Sequence, residues 1–81
     1  MGLADYFPYA LEICVELANY SKNGIFRVTE WEEDFLQDNI YSPLLDKDIS
    51  PTDLPLSSKQ RQVIVDIATK YEHSLEKFRK P

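Results

Sequence analysis

At 81 residues the chain has room for one small domain and too little for two separate cores, so a single core must serve everything. Its hydrophobic fraction of 43%, with 12% aromatic residues, lies in the globular range and excludes general disorder. The net charge of −5 is unevenly spread: from Thr29 to Asp53 eight acids face one base, while from Lys59 to Lys80 six bases face three acids.

The first expected element is a helix over about residues 5–22, with Phe7, Ala10, Leu11, Cys14, Leu17 and Ala18 at helical spacing. Asp5 serves as its N-cap in this reading, which puts Pro8 in the first turn, where the missing N–H breaks no helical bond. Asn23-Gly24 supplies the stop, since glycine accepts the left-handed conformation that ends many helices. Ile25 to Val28 reads as a short extended run that tucks Ile25 and Phe26 under the helices.

A second helix is expected over about residues 30–40. Thr29 followed three residues later by Glu32 is a capping-box pair, and acids crowd the first turn where the helix dipole favours them. Trp31, Phe35, Leu36 and Ile40 fall near one face, leaving Glu32, Glu33, Asp34 and Asp38 to water or to a partner. Pro43, Pro51 and Pro55 then make a long loop of residues 41–57, whose several leucines should drape over the core, with a helical turn at Pro43–Lys47 as an option. Ser57 with Gln60 forms a second capping box, and Ile64, Ile67, Ala68, Tyr71, Leu75 and Phe78 make the apolar stripe of a third helix over about residues 58–79. The expected fold is therefore a small all-α domain of three main helices.

No catalytic, metal or nucleotide signature stands out, and neither an enzyme activity nor a cofactor is expected. His73 has no second histidine beside it, and Cys14 on an apolar helix face reads as a small core residue, not a nucleophile. Asp46-x-Asp48-x-Ser50 opens like a calcium loop, yet Pro51 stands where the turn needs glycine and Ser57 where it needs a bidentate glutamate. With only Gly2 and Gly24, no glycine-rich phosphate loop can form. A single cysteine cannot make an internal disulfide, no secretory pattern opens the chain, and the apolar runs are too short to span a bilayer, so a soluble cytoplasmic protein is expected.

What remains is binding. The candidate protein-contact residues are Glu30, Trp31, Glu33, Asp34 and Asp38 of the second helix with Asp46, Asp48 and Asp53 of the loop, an acidic surface with an aromatic anchor. A solvated, dipole-favoured helix face would carry the same charges without any partner. The alternative site is the basic side of the third helix, with Lys59, Arg61, Lys70, Lys77, Arg79 and Lys80 facing phosphates, though a local +3 is thin for nucleic acid. A third class, a homodimeric scaffold, follows if the apolar linker and the tyrosines exceed what one core can hide.

Trp31-Glu32-Glu33-Asp34-Phe35-Leu36, followed after a linker by Leu56-Ser57-Ser58-Lys59-Gln60-Arg61-Gln62-Val63-Ile64 and Ile67-Ala68-Thr69-Lys70-Tyr71, resembles a helical-hairpin signature of small phage and prophage proteins, some of them proteins of DNA metabolism. The linker is longer here and the first helix has no counterpart. The resemblance implies a phage or mobile-element setting, and through it a nucleic-acid-processing complex or interference with a host system. With the acidic, aromatic middle, the expected role is an accessory or inhibitor protein that docks this surface on a basic one of a larger protein, with mimicry of nucleic-acid charge as one form of it. It supplies no catalytic residue.

Overall fold

The computed structural model describes residues 3–79. Four α-helices are present, α1 (Leu3–Lys22), α2 (Glu30–Leu36), α3 (Ser42–Lys47) and α4 (Ser58–Arg79), with a π turn at Gln37–Tyr41 and a 3-10 turn at Pro51–Asp53. The π turn joins α2 to α3 without a break, so three long helical stretches build the domain, and no strand occurs among the described residues. The all-α expectation is met.

The core lies mainly between α1 and α4. Ala10, Leu11, Ile13, Cys14, Leu17 and Ala18 pack with Ile64, Val65, Ile67, Ala68 and Leu75, and Leu36, Ile40 and Leu54 close it from the third side. Arg61 lies over the Phe7 ring, Tyr6 Oη reaches Glu72, Cys14 Sγ meets the Ile64 carbonyl and Tyr20 meets Phe78, so α1 and α4 touch over most of their lengths. The α2–α3 stretch runs antiparallel to α4, with Glu32 at Lys70 and Tyr71 but Asn39 at Gln60.

Both capping boxes form. Thr29 Oγ1 accepts from the Glu32 N–H at 3.2 Å while Glu32 Oε1 accepts from the Thr29 N–H at 2.9 Å, and Ser57 and Gln60 repeat the exchange at the head of α4. α1 ends as its Asn-Gly pair implies. The Gly24 N–H bonds the Ser21 carbonyl and the Ile25 N–H the Tyr20 carbonyl, with Gly24 at φ 70, the paired bonds of a Schellman stop.

Several expectations need correction. α1 already includes Leu3, so Asp5 is inside the helix and Pro8 stands beyond the first turn; a proline this close to the start removes one intrahelical bond and leaves the rest of the helix intact. Ile25 is 55% exposed, because the Schellman stop turns it outward and only Phe26 tucks in, edge-on to Tyr71 and Phe78. Phe78 is 44% exposed near the end of α4, where the underlying helices run out.

The largest correction concerns the second helix. It does not stop at Ile40: it continues as a π turn and α3 to Lys47, leaving loop only from Asp48, with Asp48 itself in the left-handed conformation at φ 51 that ends the helix. Pro43 fails to break it because the turn before it is widened. In α geometry the Pro43 ring would meet the Asn39 carbonyl; here the Ser42 N–H bonds back five residues to the Gln37 carbonyl, an opening that makes room for the ring.

Candidate functional site

The stretch from Glu30 to Lys47 carries a four-residue repeat. Its inward row is Glu32, Leu36, Ile40 and Leu44, of which the first three are buried and Leu44 is half-buried. Its outward row, offset by two, is Glu30, Asp34, Asp38, Ser42 and Asp46, all exposed. In an uninterrupted α-helix positions four apart drift by about 40°, so Asp46 would lie about 160° round from Glu30. The π turn absorbs about one extra residue and takes back about 100° of that drift. The same widening keeps Leu44 on the core side and keeps the acids along one outer ridge.

Trp31 flanks the ridge. It is 61% exposed and stacks on Phe35, with ring centroids 5.6 Å apart and planes 16° from parallel. Sequence periodicity puts both rings on the core face; the burial pattern is turned by one position, because Glu32 takes the inward place that Trp31 was expected to hold. Glu33 is exposed but lies off the ridge, beside a shallow groove it shares with Gly24, Phe26 and Arg27. Asp48 and Asp53 are exposed in the segment after the helix and are not part of the row.

Among the described residues Glu30, Asp34 and Asp38 make no ion pair. Asp34 and Asp38 also lie past the first turn, where the helix dipole favours acids. Each has a like charge four residues before it, an arrangement that destabilises a helix by about 0.2–0.5 kcal/mol per pair. The dipole therefore accounts for Glu30, Glu32 and Glu33 but not for Asp34, Asp38 and Asp46.

Glu32 behaves quite differently from its neighbours. It is only 6% exposed. Its carboxylate accepts from the Thr29 N–H, from Tyr71 Oη and from Lys70 Nζ, the last at 2.9 Å. Burial pushes its pKa up, but the donors, Tyr71 first, then Lys70 and Thr29, outweigh it and bring the carboxyl down to about 2. Tyr71 is raised by its burial and by Glu32, and Lys70 is raised by the hydrogen bond to Glu32. This site ties α2 to α4 and leaves Glu32 closed to a partner, contrary to the expectation from sequence. The signal that could have exposed it was the four-residue row itself, which places Glu32 in line with Leu36 and Ile40.

The basic candidates are more scattered. Lys59, Arg61, Lys70 and Lys77 are exposed along α4, with Lys70 engaged by Glu32 and Arg61 5.4 Å over the Phe7 ring. The Arg79 side chain and Lys80 lie outside the described residues. Cys14 is fully buried, donates to the Ile64 carbonyl at 3.3 Å, and has its thiol pushed up to about 12 by burial, which removes it as a nucleophile. No group of three or more metal-binding side chains occurs among the described residues, and no described helix is long and apolar enough to cross a membrane.

Comparison with known proteins gives no relative: no family model, no curated protein and no solved structure matches the chain.

Proposed function

We propose that this protein is a non-catalytic accessory or inhibitor protein that docks the acidic ridge of its second helical stretch on a basic surface of a larger protein. The observation that carries the reading is the row Glu30, Asp34, Asp38 and Asp46, exposed and flanked by the open Trp31–Phe35 stack. Unpaired like charges at four-residue spacing oppose helix stability, so a binding role accounts for them better than a stabilising one does. Trp31 offers a large rigid contact at low entropic cost, the usual character of an interface anchor. Four carboxylates along one edge would steer a cationic surface toward it at a distance set by ionic strength.

The phage setting, and with it a partner from a nucleic-acid-processing complex or a host system, rests on the resemblance of the two helix starts alone. Direct nucleic-acid binding through α4 is the weaker reading, because Lys70 already pairs with Glu32 and Arg61 covers Phe7.

The test is capture from nuclease-treated lysate with the tagged wild type and with a variant carrying Glu30→Lys, Asp34→Lys and Asp38→Lys. A protein retained by the wild type at low salt, released by added salt and absent from the variant is the expected result, with the helical circular dichroism of both unchanged. Equal retention of the same protein by the variant, or retention of nuclease-sensitive material only, would overturn the reading.

A further inference from the structure

Trp31 and Phe35 stand four residues apart on α2 with their rings stacked. Phe35 is half-buried and packs against the core, whereas Trp31 stays 61% exposed in spite of the stack. The helix start does not need the indole, since Thr29 and Glu32 already close the cap. A tryptophan left in water on a flat two-ring pair is a contact surface.

The charges around the pair select what it takes. Each ring has a carboxylate three residues on, Asp34 after Trp31 and Asp38 after Phe35, and positions three apart are neighbours on a helix surface. Helical side chains lean toward the N-terminus, so both carboxylates lie back over the turns that carry the rings. The chain's own cations are engaged elsewhere. Lys70, which reaches α2 from α4, bonds Glu32 and lies 5.2 Å over the Tyr71 ring. Lys22 and Arg61 lie over Tyr41 and Phe7, and Arg27 shares the shallow groove with Glu30 and Glu33. Among the described residues no cation lies over Trp31 or Phe35.

An aromatic face attracts a cation, and carboxylates beside it add to that attraction while repelling the phosphates that a nucleic-acid base brings with it. Among cations the flat pair favours a guanidinium. It is planar, it is less strongly hydrated than an ammonium, and when stacked on a ring it keeps its N–H edges free for carboxylates. A lysine ammonium offers no plane to stack and must give up more water to reach the same face.

We infer that the Trp31–Phe35 pair receives an arginine side chain of the partner protein, its guanidinium stacked on the indole and its N–H groups bonded to the Asp34 and Asp38 carboxylates. The inference rests on the docking reading above and adds to it the residue type that the ridge distinguishes: arginine over lysine. The ridge attracts any cationic surface, and the aromatic pair selects among cations.

Trp31 is the only tryptophan of the chain, so its emission reports on this site alone. Two labelled peptides of equal length and charge, one of arginine and one of lysine, are titrated at the same ionic strength, with affinity read from anisotropy and the site from Trp31 emission. The arginine peptide is expected to bind the wild type about fivefold tighter than the lysine peptide and to shift the emission. Trp31 is exposed, so Trp31→Leu keeps the fold, which circular dichroism verifies, and it is expected to abolish that fivefold preference while retaining the lysine peptide. Tyr9→Leu, at an exposed aromatic side chain on α1, is expected to leave the preference unchanged. The variant carrying Glu30→Lys, Asp34→Lys and Asp38→Lys is expected to lose both peptides.

The same preference in W31L as in the wild type, or equal binding of the two peptides by the wild type, overturns the stacking site; loss of both peptides in the triple lysine variant then leaves the ridge standing. Binding of neither peptide also overturns the stacking site, and the capture experiment decides the ridge by itself. An emission shift with oligothymidylate and none with the arginine peptide assigns the pair to bases and overturns the inference. An emission that changes with protein concentration alone assigns it to a second copy and overturns the inference as well.

Discussion

Glu32 shows how one side chain can serve a helix start and a tertiary contact at once. Its backbone N–H and one carboxylate oxygen close the box with Thr29, and the same carboxylate receives Tyr71 and Lys70 from α4. Because these donors hold its pKa near 2 against an ordinary 4.5, the folded state binds this proton less readily than the unfolded chain. The contribution is present in full above pH 4.5 and is lost as the pH falls toward 2. Glutamine at this place keeps an acceptor for the Thr29 N–H and loses the charge. Urea midpoints at pH 7 and pH 2.5 should therefore show the wild type losing on the order of 2 kcal/mol more than E32Q across that range. Parallel loss in both proteins would remove the carboxylate from the acid response. Gly24 is a simpler case. Its φ of 70 strains any residue with a Cβ even though nothing lies within 4 Å of the position, so Gly24→Ala should lower stability by about 1 kcal/mol in the same assay.

Elements with strong local chemistry were readable from the residues alone. Both capping boxes, the Asn23-Gly24 stop and the stripe of α4 rest on side chains that act within one or two turns of themselves, and all four stand where the spacing puts them. The α2–α3 stretch was misread because the apolar residues were followed and Glu32 was not. At 100° per residue Trp31 and Ile40 lie about 180° apart and are not one face, whereas Glu32, Leu36, Ile40 and Leu44 span about 120°, which the opening of the π turn narrows to a single inward row. A proline in the next turn, normally a stop, is compatible with that opening. Of the eight proposed contact residues, Glu30, Asp34, Asp38 and Asp46 form one row, Trp31 flanks it, and Glu33, Asp48 and Asp53 do not join it. No local rule carries that information, since it depends on which side of the stretch α1 and α4 cover. The two caps also differ in reach. Thr29→Ala takes the acceptor from the part-buried Glu32 N–H, whereas Ser57→Ala takes it from the exposed Gln60 N–H. Thermal unfolding should show Thr29→Ala costing about 1–2 kcal/mol and Ser57→Ala about half that or less.

At the scale of the molecule, charge and apolar exposure meet on one side. The acidic ridge, the Trp31–Phe35 stack and the exposed Leu45 all belong to the α2–α3 stretch. A surface kept for stability alone would place a lysine among such acids. Asp34 is the informative position, because Glu30 lies four residues before it and Asp38 four after, so one substitution by lysine turns two repulsive pairs into two attractive ones. At about 0.2–0.5 kcal/mol for each pair and for each sign, Asp34→Lys should gain on the order of 1 kcal/mol of stability. In a chain of this size that is a rise in Tm of about 4–8 °C. The gain should shrink as salt is added, since the pairs are exposed and screened within about 10 Å at 0.1 M. The same substitution should weaken capture of the basic partner. Stability rising while binding falls is the signature of residues held for function against the interest of the fold. A lower Tm for D34K would show instead that the ridge is stabilising, and the acids would then need no partner to explain them.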